Sequence, residues 1–375
     1  MDFAYSEDQE ALRELARKIL EQFTGDRLRE LEREPDSFDR KVWRDLAEAN
    51  LLGASLGEDV GGSGLGIWEL SILLYEVGRS VAPLPLLPTL ALGALPIERF
   101  GSEAQRRRYL PGVASGEQIL TGAFSEPQSD DPGRPSTTAR RDGASWRIDG
   151  IKTCVPAVQI ADAVLVPASI GDGNAGLFVV APTAAGVSVE QQVATSGELQ
   201  GRLEFSGAEA MDLIGEVDQA SAAVHWSVQL ATLAYCSLQH GVLDRMVHMT
   251  AQYTTERRQF ERPIGSFQAV HQRAADAFIN VQALELALLE AIYRFEQGLD
   301  AREAILIAKY WASKPAYQVA YACTHLHGGI GIDVDYPLHR YYQWAKQVEL
   351  CLGSGPVQLR ALGALMTAEA SAAQA

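Results

Sequence analysis

Apolar positions along this chain change their spacing twice. In the first stretch they recur at helical intervals among charged residues. Ser6-Glu7-Asp8-Gln9 has the pattern of a capping box, Ser at the N-cap and Gln three residues on, which satisfies otherwise orphaned amide donors. A charged amphipathic helix is expected to follow to about Phe23, with further helices over 42–51 and 67–77. Gly57, Gly61, Gly62 and Gly64 mark the loops between them. Near Leu120 the pattern turns to alternating and β-branched runs at 146–149, 163–166, 177–180 and 187–189. Asp142-Gly143, Asp149-Gly150 and Asn174-Ala175-Gly176 supply turn signals, so a small β-sandwich or barrel is expected. Helical spacing then returns. Tyr235, Leu238, Val242, Met246, Met249 and Tyr253 form one stripe, and Val270, Ala274, Phe278, Val281, Leu284, Leu288, Ile292 and Phe295 form another. A third helix is expected over 301–324, bent at Pro315. Long helices with short connections imply an antiparallel bundle. The expected division is a helical domain over 1–118, a β-domain over 119–215 and a helical bundle over 216–375.

Composition narrows the function classes. With 375 residues, 47% hydrophobic and 21% charged, the chain is that of a globular protein with two or three packed subdomains. A net charge of −16 argues against non-specific binding to nucleic acid or membrane surfaces. It leaves room for a phosphorylated ligand, which a few local arginines can hold. Cys154, Cys236, Cys323 and Cys351 are widely spaced, as expected of reduced thiols in a cytoplasmic protein rather than of a disulfide framework or zinc site. The first residues are acidic and show no signal-peptide pattern. The most apolar stretch, 81–97, is interrupted by four prolines and is too short to span a bilayer.

Three passages carry candidate chemistry. Tyr253-Thr254-Thr255-Glu256-Arg257-Arg258-Gln259-Phe260-Glu261-Arg262-Pro263-Ile264 is followed by Phe267-Gln268. His325-Leu326-His327-Gly328-Gly329-Ile330-Gly331 and Tyr336-Pro337-Leu338-His339-Arg340 come later. Arg257 offers a charge-assisted, bidentate contact for a pyrophosphate oxygen. Phe260, placed one helical turn on, offers a face to an adenine or flavin edge. Gly328 and Gly329 let backbone amides approach a ligand closely. Each passage alone is weak, since an Arg beside an aromatic is usually a solvated pair and a Gly-Gly-x-Gly loop is usually a turn. Together, in order and in register, they make the chain similar to the acyl-CoA dehydrogenases over nearly its whole length. The resemblance implies the fold of that superfamily: a helical domain, a small β-barrel or sandwich, and a four-helix bundle. It also implies that Arg257, Phe260, Gln268, His325, Gly328 and Gly329 contact FAD across a subunit interface. His325 stands where the family has Gln.

The chain also departs from that family. Acyl-CoA oxidation needs a base for the α-proton, while the flavin supplies the electron chemistry. The family's base, the Glu of an Ile-Tyr-Glu-Gly-Thr run, falls on Leu352, which cannot accept a proton. The alternative base position falls on Ala231. Glu349, three residues before Leu352, is a weak substitute that could share its helix face. Ser125-Glu126-Pro127 resembles the loop that meets the flavin ring, but a Gly-rich stretch has become Gln128-Ser129-Asp130-Asp131-Pro132. Gly150-Ile151-Lys152-Thr153 is kept, yet Cys154 replaces an aromatic and Pro156 a hydroxyl residue. The losses lie in the half-site for a ring and substrate within the chain, whereas the retained features reach into a neighbour. The resemblance therefore implies the base-lacking subunit of an α2β2 enzyme of the bacterial two-gene type. Its partners would be a base-bearing subunit, an acyl-CoA substrate and an electron-transfer flavoprotein. The run Ser80-Val81-Ala82-Pro83-Leu84-Pro85 and the His-Leu-His-Gly-Gly-Ile-Gly passage add a looser likeness to enzymes of steroid side-chain degradation. Two other readings stay open: a stand-alone enzyme with an unusual base or reaction, and a catalytically silent scaffold.

Overall fold

The computed structural model describes residues 4–34, 38–129 and 131–372; Asp130 and the end of the Ala-rich tail lie outside the described residues. Six helices come first: α1 (Glu7–Leu20), α2 (Gly25–Leu31), α3 (Arg40–Glu48), α4 (Ile67–Ser80), α5 (Leu95–Phe100) and α6 (Glu103–Ala114). Strands β1 (Leu120–Gly122), β2 (Thr138–Asp142), β3 (Ser145–Pro156), β4 (Ala163–Gly171), β5 (Asn174–Val180), β6 (Val187–Val193), β7 (Leu199–Glu209) and β8 (Asp212–Leu213) follow. Helix α7 (Ala220–Glu256), a short hairpin of β9 (Arg258–Gln259) and β10 (Arg262–Pro263), and α8 (Gln268–Glu296) come next. The chain finishes with α9 (Arg302–Trp311), α10 (Lys314–His327), α11 (Leu338–Leu350) and α12 (Gly355–Ala372). The residues form two compact units, one of 30–70 with 83–234, the other of the residues up to 29 with 71–82 and from 235 onwards.

The first unit is organised by the strands. They make one mixed sheet in the order β6-β7-β3-β2-β4-β5-β8, with β1 parallel to β4. Alternation puts Ile148, Val164, Val166, Phe178, Leu203 and Phe205 in one buried cluster. Two register shifts in the β3–β7 ladder, at Ile148/Gly150 and Lys152/Val155, bracket Lys152. The Lys152 side chain is fully buried, and its Nζ lies 2.7 Å from Glu126 Oε1. Glu126 also accepts from the backbone amides of Ser136, at 2.7 Å, and Thr137, at 3.0 Å. Burial alone would raise the Glu126 pKa, but the Lys152 ammonium and these donors hold it down at about 2.

The second unit is helical. The Ser6 capping box is present: Gln9 N donates to Ser6 Oγ at 3.2 Å and Ser6 N to Gln9 Oε1 at 3.0 Å. Leu238, Val242, Met246 and Met249 of α7 are buried, as their spacing predicts. Helix α8 departs from its expected stripe. Ala277, Val281, Leu284, Leu288, Ala291, Ile292 and Phe295 face the interior, whereas Phe278 is 51% exposed. The helix carries a second apolar face with Ile279 and Leu286 (61% and 65% exposed), and spacing alone does not say which face packs inward. The single bent helix expected over 301–324 is two helices, because the chain turns at Ala312 and Ser313 and Pro315 opens α10 in its first turn. Gln239 of α7 braces this break, with Nε2 donating to Ala312 O at 3.1 Å and to Ala345 O at 2.9 Å. Glu76, nearly fully buried, accepts from Arg13 at 3.2 Å and Arg17 at 2.8 Å, binding α1 to α4. No helix among the described residues is long and apolar enough to cross a membrane.

Removing one partner of a buried pair strands the other charge, so Lys152→Met should lower unfolding stability by about 3–5 kcal/mol in urea melts, and Glu126→Gln in the same chain should recover part of the loss. Because the native Glu126 pKa lies below its ordinary 4.5, its contribution is full above pH 4.5 and disappears as pH falls through about 2. The urea midpoint measured against pH should decline over that window, and Glu126→Gln should flatten the decline.

Candidate functional site

The three sequence passages lie in the helical unit, and aromatic contacts gather them. Tyr253, in the last turn of α7, stacks on His327 at the end of α10, with centroids 4.4 Å apart and planes 21° apart. His327 is buried; its Nδ1 lies 2.8 Å from the carbonyl of Cys323 and its Nε2 3.2 Å from the Tyr336 hydroxyl. A carbonyl only accepts, so Nδ1 carries the proton and Nε2 accepts from the phenol. Burial lowers the His327 pKa, which keeps the ring neutral. One imidazole thus joins the Arg257 passage, the Gly-Gly loop and the Tyr-Pro-x-x-Arg passage. Arg340 of the last passage is buried at the start of α11, with its amide 3.1 Å from Pro337 O.

The Arg257 passage does not continue the helix. Helix α7 ends at Glu256, and residues 258–263 form the β9–β10 hairpin, with Ile264 N bonded to Arg257 O at 2.8 Å. Phe260 therefore does not sit one helical turn beyond Arg257. It occupies the hairpin tip at φ +50° and is 86% exposed. A left-handed pair, Phe260 and Glu261, closes this two-residue turn, a conformation that helical spacing does not anticipate. Phe260 meets Phe267 edge-on at 6.2 Å, and the Arg262 guanidinium covers the other ring at 4.1 Å. The side chains of Arg257 and Gln268 are exposed and make no hydrogen bond or ion pair among the described residues. Gly328 adopts φ +66°, ψ −142°, and a Cβ added at Gly328 or Gly329 would meet nothing within 4 Å. An unclaimed guanidinium, an unclaimed amide and an open glycine cradle suit a phosphorylated dinucleotide such as FAD. His325 is exposed beside this loop, its Nδ1 2.6 Å from Arg273 Nη1 of α8.

The base slot is a turn. Cys351 caps α11, and Leu352 follows at φ +55° and Gly353 at φ +94°. Gln358 Nε2 donates to both their carbonyls, at 3.0 and 3.1 Å. Leu352 thus lies outside the helix and shares no helix face with Glu349. The Glu349 carboxylate pairs with Lys346 at 2.9 Å, and its carbonyl accepts from the fully buried Lys309 at 3.2 Å. Ala231 is fully buried. In the β-containing unit, Glu126 points into the core rather than out of its loop, and Cys154 sits exposed at φ +51° with its amide on Gln192 Oε1 at 2.8 Å. Among the described residues no group of His, Cys, Asp and Glu is arranged to hold a metal. Sequence reading missed Arg273 and Gln358. The four-residue spacing of Tyr321 and His325 could have suggested their stacking, but nothing local marks a pairing across 52 residues.

Comparison with known proteins identifies the family. The model of the acyl-CoA dehydrogenase N-terminal domain matches residues 6–117 and that of the C-terminal domain residues 222–367. The acyl-CoA dehydrogenase FadE27 of Mycobacterium tuberculosis is 38% identical, covering 97% of this chain and 98% of its own. A chain of the Tcur3481–Tcur3483 steroid ACAD superposes with a TM-score of 0.93 at 41% identity, over 97% of this chain and 99% of that one. A chain of the ChsE4–ChsE5 complex from Mycobacterium tuberculosis gives 0.92 at 36% identity, over 98% and 99%. With both domain models matched in order and relatives this similar along its full length, the chain belongs to the acyl-CoA dehydrogenase family.

Proposed function

We propose that this chain is the base-lacking subunit of a heteromeric, FAD-dependent acyl-CoA dehydrogenase that introduces an α,β double bond into an acyl-CoA thioester. The carrying observation is the pairing of an unclaimed donor set at Arg257, Gln268, Gly328 and Gly329 with an aliphatic side chain at Leu352. FAD, when bound, supplies the hydride acceptor for the β-carbon. Arg257 would hold the pyrophosphate of that flavin, Gln268 and His325 would donate hydrogen bonds to it, and Phe260 would cover an apolar edge. The α-proton goes to a carboxylate of the partner, because Leu352 cannot take it and Glu349 is tied to Lys346. The Tcur3481–Tcur3483 steroid ACAD and the ChsE4–ChsE5 complex support a heteromer, and the first supports a steroid-type acyl-CoA; an electron-transfer flavoprotein as acceptor is carried over from the family resemblance alone.

Purified alone, the chain should carry little flavin, while co-expression with its base-bearing partner should give a yellow, active complex. A fully flavinated, active homo-oligomer refutes the reading. In the complex, Arg257→Ala removes a charge-assisted contact of about 1.5–3 kcal/mol, so flavin should dissociate roughly 10- to 100-fold more readily in fluorescence titrations. Unchanged flavin occupancy would instead point to a silent scaffold. Glu349→Gln should leave turnover of the complex within about twofold of wild type, since this part-buried carboxylate is engaged by Lys346 one turn earlier on its own helix. Abolished turnover would make Glu349 the base of a stand-alone enzyme.

A further inference from the structure

The two histidines of the His325–His327 passage carry their protons on opposite nitrogens. His327 keeps its proton on Nδ1, which donates to the Cys323 carbonyl, as described above. At His325, Nδ1 faces Arg273 Nη1 at 2.6 Å. A guanidinium donates and never accepts, so this Nδ1 must present its lone pair. The proton of a neutral His325 then sits on Nε2. Tyr321, one turn earlier on α10, fixes the plane: its ring lies parallel to the imidazole within 17°, centroids 6.2 Å apart. The Arg273 guanidinium lies 5.6 Å from the same Tyr321 ring. No described residue takes the Nε2 proton of His325.

We propose that Arg273 is a positioning residue that turns His325 into a fixed N–H donor, the same hydrogen-bonding character that an amide side chain offers at this place, for an oxygen of the dinucleotide. The proposal rests on the flavin half-site described above. Arg273 does not touch the ligand; it acts by holding the imidazole's proton on the outward nitrogen and the ring in one plane. An amide needs no such help, because its NH2 group is a donor in any state. The dependence on Arg273 is therefore a property of having histidine there.

The test uses the complex co-purified with its partner, and FAD as the probe. Arg273→Ala should weaken FAD binding about fivefold, the worth of one ordinary hydrogen bond. Arg273→Lys, which still donates to Nδ1, should recover most of that loss. His325→Gln should bind FAD close to wild type, and adding Arg273→Ala to it should change nothing further. Independently of flavin, the nitrogen-15 shifts of the labelled imidazole of His325 in the isolated chain should report an Nε2-protonated ring, and Arg273→Ala should shift it toward a mixture. A ring protonated at Nδ1 with Arg273 intact overturns the proposal, as does an equal effect of Arg273→Ala in the His325→Gln background. If Arg257→Ala and His325→Ala both leave FAD binding unchanged, the half-site itself is refuted, whereas a loss in those two without one in Arg273→Ala refutes only the positioning role.

Discussion

The arrangement of the candidate site depends on one ring. His327 is stacked by Tyr253, hydrogen-bonded to its own helix through Cys323 and to Tyr336 across the following loop. The Tyr253 segment and two later segments that neighbour each other in sequence are thereby given one relative position. The stack supplies apolar contact, and the two hydrogen bonds satisfy both ring nitrogens, so a polar ring is buried without an unmet donor or acceptor. A charged imidazole could not accept from Tyr336, and burial keeps the charge off. The Gly328–Gly329 loop begins at the next residue, so the precision of the loop is inherited from a buried ring.

A division between satisfied and unsatisfied polar groups runs through the molecule. Three buried charged groups are met by several partners: Glu126 by Lys152 and two backbone amides, Glu76 by Arg13 and Arg17, Lys309 by Ser313 and the carbonyls of Val348 and Glu349. These groups specify the fold. Arg257 and Gln268 are the reverse, exposed donors left unengaged on a chain of net charge −16 with carboxylates in excess. Keeping an arginine free in such a chain is a choice of geometry: Glu256 is held by Gln252 at 2.9 Å, and the hairpin starts at Arg258, which bonds back to Glu261 O at 2.6 Å. The exposed Phe260 beside them is apolar surface that a partner or ligand would cover.

Much of this was legible in the sequence. The Ser6 capping box, the α7 stripe and the helix–strand–helix order follow from local rules that tertiary structure does not contradict. The places where reading failed share a cause. Arg257 to Phe260 has helical spacing, but the chain there forms a tight turn with two left-handed residues, which few non-glycine sequences announce. Phe278 sits on a helix with two apolar faces, and periodicity reports both alike. Pro315 was expected to bend a helix but begins one, because the break comes from Ala312 and Ser313 and is braced by Gln239 from a distant segment. The Arg273–His325 contact has no local signature, since it joins two helices 52 residues apart.

The turn at Leu352 has one more implication. Gln358 grips this turn through the carbonyls of Leu352 and Gly353, so its path is written in the main chain and owes nothing to the side chain on display. Shape and reactivity are thus separable at this point of the molecule. Under the proposed heteromeric reading, a chain built in this way sheds a chemical step and still keeps the contour that its counterpart would recognise.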